Sequence, residues 1–248
     1  MVKRDEIIQY INKLLNITEF EDDSINGLQV EGKSEIERIV LGVSCSERFF
    51  QAAVEMLADL IIVHHGLFWK KAPSPYILTG IFRNRIALLI KNDINLAGYH
   101  LPLDAHVELG NNAQIIHRLQ IEMIKPVQVG FLGRLKTPMP LNKFVDVINK
   151  ALQTDSKVFP FGTLNVHRVL VISGGTSPYY RLALDNDADT FVGGDIRENV
   201  VRELEEVGLN FINAGHYNTE KFGVLALGEK LQREFAVSCK FVDIPNPI

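Results

Sequence analysis

Apolar positions follow two rhythms along this chain, one of helical spacing and one of short unbroken runs. Ile7, Ile8, Ile11, Leu14 and Leu15 share one helical face and predict a helix over 5–15. Phe49, Phe50, Ala53, Val54 and Leu57 predict a second helix, and residues 81–91 a third. Between them lie the runs Ile39–Val43, Leu60–Val63 and Ile94–Gly98, which read as buried strands. Residues 112–119 read as helical. Beyond them a strand is expected over Val127–Leu135, a helix over Leu141–Leu152, and strands over Val169–Ile172 and Thr190–Val192. A helix over Ile196–Val207, a strand over Leu209–Ile212, a helix near 218–232 and a strand over Val237–Val242 complete the series.

Alternation of strands and helices predicts an α/β fold of two lobes with largely parallel or mixed sheets, the candidate site lying between them. Pro126 follows a polar stretch and is the expected boundary, which gives an N-terminal lobe of 1–125 and a C-terminal lobe of 126–248. No internal period suggests a solenoid.

Composition narrows the class. No apolar run reaches the length of a membrane span, and the charged N-terminus MVKRDEIIQY is unlike a signal peptide. The two cysteines, Cys45 and Cys239, lie in separate apolar segments and fit reduced residues of a cytoplasmic protein. Any metal site must therefore draw on His and carboxylate ligands. The net charge of −4 argues against a dedicated nucleic-acid binder, and Lys70–Lys71 beside Trp69 reads as a solvated loop.

Three clusters of chemically competent residues fall where strands end, the place where α/β sheets form ligand sites. The first is Ile62-Val63-His64-His65-Gly66. Adjacent strand residues point to opposite faces, so either the chain leaves the strand here, aided by Gly66, or each imidazole serves a different ion. The second is Gly98-Tyr99-His100-Leu101-Pro102-Leu103-Asp104-Ala105-His106, read as a loop stiffened by Pro102. Asp104 is the ligand expected there; His100 and His106 read as supports of a ligand, as a base toward bound water or as surface residues, with His100, nearer the strand end, favoured as a candidate proton shuttle. The third is Gly215-His216-Tyr217-Asn218-Thr219-Glu220, where His216 and Glu220 share a helical face. Three histidines and two carboxylates exceed the usual three ligands of one catalytic zinc, and a pair of ions about 3.5–4 Å apart accounts for the surplus. Asp195, after Gly193-Gly194, reads as a helix N-cap, with an anion on the neighbouring amides as the second possibility. Ser173-Gly174-Gly175-Thr176 lacks the lysine of a P-loop.

The segments IIVHHGLFW, GYHLPLDAH, INAGHYNTEKFGVLAL, FVDIPNPI and INGLQVEG resemble the NIF-three-like dinuclear metal family, whose members are called GTP cyclohydrolase I type 2 homologues. The resemblance runs from about residue 5 to the C-terminus. It implies two metal ions per chain, zinc, iron, manganese, cobalt or nickel, held by His64, His65, Asp104, His216 and Glu220. It also implies a short form without an inserted middle domain, assembled as a toroidal homohexamer. The family pattern often has Asp where this chain has Ser44, and Glu where it has Asp195. The expected function is a metal-dependent hydrolase of a nucleotide or phosphorylated small molecule, with GTP ring opening the named case. The alternatives are a non-enzymatic metal-binding ring acting through DNA or protein partners, and a metal store.

Overall fold

The computed structural model describes residues 1–71 and 77–248. They form two compact units, Met1–Leu103 with Val224–Ile244, and Asp104–Gly223 with Pro245–Ile248. The division therefore falls at 103/104 rather than at 125/126. The chain crosses back because its last strand pairs in parallel with a central strand of the first unit.

The first unit opens with a two-residue strand, β1 (Val2–Lys3), and α1 (Arg4–Leu14). Then come β2 (Gly27–Val30), β3 (Glu35–Ile36), β4 (Arg38–Ser44), α2 (Glu47–Glu55), β5 (Leu60–His65), α3 (Gly80–Lys91) and β6 (Asn95–Gly98). The short helix α4 (Leu101–Ala105) starts in this unit and ends in the next. The second unit holds α5 (Asn111–Arg118), β7 (Glu122–Val127), β8 (Gly130–Pro140), α6 (Leu141–Leu152), β9 (Lys157–Phe159) and β10 (Asn165–Val171). It continues with α7 (Tyr180–Asp185), β11 (Thr190–Gly193), α8 (Glu198–Val207), β12 (Asn210–Asn213) and the start of α9 (His216–Phe235). The rest of α9 and β13 (Ser238–Phe241) belong to the first unit.

The first sheet runs β13-β4-β5-β6-β2, parallel except for the edge strand β2. Its residues alternate between two cores, as the strand period of two requires. Leu41, Leu60, Ile62 and Ala97 pack with Ile7 and Ile11 of α1 and with Val224, Leu227 and Leu231 of α9. Val40, Ile61, Val63 and Leu96 pack on the other face with Phe49, Phe50 and Ala53 of α2 and Ile86 and Leu89 of α3. Burial on both faces explains why β5 reads as an unbroken apolar run. Each such side chain contributes about 1.5–3 kcal/mol.

The second sheet runs β7-β8-β10-β11-β12-β9 and is mixed, parallel only between β10, β11 and β12. The strand expected over Val127–Leu135 is two strands, β7 and β8, joined at Gln128–Val129, where Gln128 takes φ +52°. Hydrophobic pattern alone runs through such a turn, because the turn residues carry no glycine or proline to mark it. Strands β2 and β9, each pairing antiparallel at a sheet edge, lack the long apolar run that would announce them.

The two units are built on one repeated motif. Ile39 of β4 stands opposite Leu60 of β5, which stands opposite Asn95 of β6. In the same way Val169 stands opposite Thr190, and Thr190 opposite Asn210. Asp59 accepts the backbone N–H groups of Glu37 and Arg38 at 3.0 and 2.9 Å, and Asp189 those of His167 and Arg168 at 2.9 and 2.7 Å. Arg38 Nε donates to the Leu57 carbonyl and Arg168 Nε to that of Asp187, both carbonyls belonging to residues of positive φ. Asn95 clasps the Gly32 amide and the Lys33 carbonyl; Asn210 clasps those of Gly162 and Thr163. These side chains fix where each central strand starts, and hence which residues reach its far end.

Asp59 is held below the ordinary carboxylate range: burial opposes this, but the Lys33 hydrogen bond and the two backbone donors outweigh it. Replacing Asp59 or Asp189 by Ala leaves two part-buried backbone donors without their acceptor, and each change is expected to cost about 1–3 kcal/mol in thermal or denaturant unfolding. For Asp59→Asn the sign with pH is fixed. A depressed folded-state pKa stabilises above the unfolded value of about 3.9 and is lost on acidification. The gap in stability between wild type and Asp59→Asn should therefore narrow below about pH 4; a gap that widens there contradicts the assignment.

Candidate metal centre

In the first unit three imidazoles collect at one end of the sheet. β5 continues through both His64 and His65, and His65 pairs in register with Ser44 of β4. The chain does not leave the strand, yet the His64 and His65 rings lie with centroids 4.7 Å apart. Side chains lean along a strand, so at its last two positions both rings can project past its end. His100 joins them from the turn after β6, with centroids 5.0 and 5.6 Å from those of His64 and His65. One ring nitrogen from each of the three lies within 4.8 Å of the others.

Each ring is held by its Nδ1. His64, fully buried, donates from Nδ1 to the Tyr99 carbonyl oxygen at 2.9 Å. A carbonyl only accepts, so Nδ1 carries the proton and a neutral His64 has its lone pair on Nε2. His65 Nδ1 shares a 2.9 Å hydrogen bond with Ser44 Oγ, and His100 Nδ1 lies 2.9 Å from Asp22 Oδ1. Gly66 does not supply a positive φ here. Its role is space: a Cβ would meet the Gln29 amide at 2.2 Å, and Gln29 Oε1 accepts from the Leu67 N–H just beyond the histidines. Trp69 donates to the Gly66 carbonyl and stands edge-on to His100 with centroids 5.1 Å apart.

In the second unit Asp104 is buried and accepts from Asn111 Nδ2 at 2.8 Å and from Ser173 Oγ at 3.1 Å, both on Oδ1. It sits on α4, a helical turn where a loop was expected. Proline at 102 falls in the first turn, which a helix tolerates because the first amides need no intrahelical acceptor. His216 and Glu220 open α9. His216 Nε2 lies 3.0 Å from Glu220 Oε2, and its Nδ1 lies 2.9 Å from Asp195 Oδ2. Burial pushes His216 down, but its bonds and charges to Glu220 and Asp195 outweigh this and raise it to about 9.

Asp195 is thus not a helix cap. α8 starts at Glu198 with Arg197 in the capping position. Nor do the nearby amides form an anion site, since those of Gly194 and Asp195 both donate to the Gly174 carbonyl. The carboxylate instead anchors an imidazole, and its place after β11 matches that of His65 at the end of β5. The sequence does not mark Asp22, Ser44 or Ser173 as anchors, because each lies far from its partner in the chain, nor Asn111, seven residues beyond Asp104 on another helix. His106 acts locally, its Nδ1 accepting the N–H groups of Glu108 and Leu109, and burial holds its pKa low. Lys71 pairs with Asp23 at 2.9 Å on the surface, as a solvated loop residue would.

The fold and these clusters define a mixed α/β protein with His, Asp and Glu side chains grouped as candidate metal ligands. Comparison with known proteins takes this further. The chain belongs to the Duf34/NIF3 (NGG1p interacting factor 3) family, whose model matches residues 2–247. It is 41% identical over 248 residues to the GTP cyclohydrolase 1 type 2 homolog of Haemophilus influenzae, covering 98% of each chain. Among solved structures it resembles protein ybgI, described as of unknown function, with TM-score 0.95, 40% identity and full coverage of both chains. It also resembles TTHA1606 from Thermus thermophilus, with TM-score 0.93, 35% identity and full coverage of both. No helix among the described residues is long and apolar enough to cross a membrane.

Gly174 gives a test of the second-unit cluster. It adopts φ +70°, and a Cβ there would meet Glu220 Oε1 at 2.2 Å and His216 Nε2 at 3.4 Å. Gly174→Ala should cost about 1 kcal/mol or more in stability from the left-handed backbone. It should also lower metal content, read by elemental analysis, by displacing the carboxylate. A folded variant with undiminished metal would mean that Glu220 is not a ligand.

Proposed function

We propose that the chain binds two divalent metal ions through His64, His65, Asp104, His216 and Glu220, and that the loaded site is a hydrolase centre. The observation that carries this reading is the anchoring of the histidines: each of the three has Nδ1 engaged by a fixed partner. A held Nδ1 directs metal binding to Nε2, the construction expected of metal-binding imidazoles, and His216 Nε2 already faces Glu220, its proposed co-ligand. Asp104 fits the same purpose, since Asn111 and Ser173 both donate to one of its oxygens and so orient the other. The donor set of imidazole and carboxylate suits zinc, iron, manganese, cobalt or nickel. When bound, such ions supply Lewis acidity toward water and toward an electrophilic oxygen.

The five candidate ligands bring two negative charges, against four positive charges on two divalent ions. The ligands alone would leave positive charge on the ions, offset by the Asp22 and Asp195 carboxylates behind the imidazoles, and an anionic substrate such as a nucleotide or phosphorylated small molecule would meet the ions directly. His100, whose Nδ1 is engaged like the others, is the residue we assign to proton transfer. The name carried by the relatives makes GTP the first compound of a substrate panel. The same reading takes the protein as a cytoplasmic toroidal homohexamer. The exposed Ile77 and Leu78 just before α3 and Ile81 in its first turn supply apolar surface for such an interface.

Protein purified without chelators, assayed by elemental analysis and against the panel, tests the proposal. Glu220→Ala should remove more metal than any other single ligand change, while His106→Ala should leave metal content intact. Glu220→Ala that retains both ions sinks the dinuclear assignment. Because ions that bind only the native state stabilise it by RT ln(1 + [L]/Kd), chelation should lower the melting temperature. At a free-ion level of 1,000 Kd the difference is about 4 kcal/mol. Re-addition of zinc or manganese should restore it; a chelator-insensitive melting curve counts against resident metal.

A further inference from the structure

Asp22 lies outside every helix and strand and far along the chain from His100, yet it is one of the few buried carboxylates of the first unit. Its Oδ1 accepts the Ser24 N–H at 2.9 Å and faces His100 Nδ1 at 2.9 Å. Its Oδ2 accepts Asn26 Nδ2 and the Leu101 N–H, both at 2.9 Å. Asn26 is itself fixed, since its Oδ1 accepts the His100 N–H at 2.7 Å, which leaves its Nδ2 to face the carboxylate. Burial would raise the Asp22 pKa, but the bonds from His100 and Asn26 and the charge of His100 outweigh it and hold the carboxyl well below its ordinary range. An ionised carboxylate only accepts. His100 Nδ1 must therefore carry the proton, and a neutral His100 has its lone pair on Nε2.

His100 differs from its neighbours in this anchor. His64 is tied to a carbonyl and His65 to a hydroxyl, both uncharged, whereas His100 is tied to a saturated carboxylate. A carboxylate at Nδ1 is found both behind an imidazole assigned to a metal ion, as at His216, and behind one that takes a proton at Nε2, where it stabilises the resulting imidazolium without receiving the proton itself; the response of Nε2 to a metal ion separates the two.

We propose that Asp22 is the positioning residue of His100, fixing the ring and the Nδ1–H tautomer so that Nε2 serves as proton acceptor beside the His64–His65 pair. The proposal rests on the proton-transfer role given to His100 above. In that role Nε2 accepts a proton from the reacting group and returns it to the leaving group, while Nδ1–H stays with Asp22. Two of the Asp22 bonds, to Ser24 and Leu101, would equally serve a local turn. The test must therefore read the imidazole itself.

Long-range proton–nitrogen correlation of the imidazoles in ¹⁵N-labelled protein does so, with His100 assigned by the spectrum of His100→Gln. It is recorded near pH 8, above the ordinary imidazole pKa of about 6.5. In wild type, metal-free and with excess zinc, His100 should show a protonated Nδ1 and an unligated Nε2, while zinc shifts the Nε2 signals of His64 and His65. In Asp22→Asn the tautomers of His100 should mix while zinc uptake is kept. On any substrate of the panel that turns over, kcat should fall by on the order of 10²-fold with KM little changed. An Nε2–H tautomer in wild type, a ligation shift of His100 Nε2 with zinc, or an unchanged tautomer in a folded Asp22→Asn each overturns the proposal. If Asp22→Asn fails to fold, the wild-type tautomer and its response to zinc still decide it. The expected tautomer in a protein whose His64 and His65 ignore zinc would instead overturn the metal reading and leave the Asp22–His100 assignment in place.

Discussion

An imidazole is a useful ligand or base only when one of its nitrogens is held and the other is presented. In four histidines of this chain Nδ1 is the held nitrogen, and in His216 the other nitrogen faces Glu220. The requirement reaches back into the sheet. Ser44 can hold His65 because β4 and β5 pair with those two residues opposite each other. The Tyr99 carbonyl can hold His64 because β5 and β6 pair with Val63 opposite Gly98. A slip of one residue in either pairing would turn the histidines to the other face and part them from their anchors. The apolar alternation of β4, β5 and β6 between two helix-covered cores opposes that slip, at a cost of several buried side chains per strand.

Register is also pinned at the opposite ends of the strands, and there the two units reveal their common plan. Asp59 and Asn95 in one, Asp189 and Asn210 in the other, satisfy the backbone of equivalent turns. The framework is repeated while the chemistry is not. Where the first unit places His65, the second places Asp195, a residue that supports an imidazole instead of supplying one. The residues shared by the repeat, such as Gly32 and Gly162, Arg38 and Arg168, or Ala58 and Ala188, lie around the starts of the central strands and not at the ends that carry the histidines.

This explains what was legible in the sequence. The central strands announce themselves through unbroken apolar runs, and α1, α2 and α6 through helical spacing, because both signals follow directly from burial. The candidate ligands were legible because three unusual residue pairings follow such strands. The edge strands β2 and β9, the β7–β8 turn and the return of β13 to the first sheet were not, since each depends on pairing between distant segments. The repeat itself is carried by a handful of scattered residues, too few to produce a visible period. Asp22, Ser44 and Asp195 escaped for the same reason: a hydrogen-bond anchor has no local pattern, only a partner that the fold delivers.

Asp195 shows how far the anchors shape the chemistry. With Glu220 on Nε2 and Asp195 on Nδ1, His216 lies between two carboxylates and holds its proton to about pH 9. An ion taking the place of that proton would inherit Glu220 as a second ligand, and Asp195 would still hold the ring. The imidazole and the two carboxylates therefore hold one another in place through these bonds. Gly174 completes the arrangement by leaving the space beside Glu220 that any Cβ would fill. Glycine, carboxylate and imidazole come from three separate turns at the ends of β10, β11 and β12. The parallel pairing of those strands sets their spacing, so the geometry of the cluster is a property of the sheet as much as of its side chains.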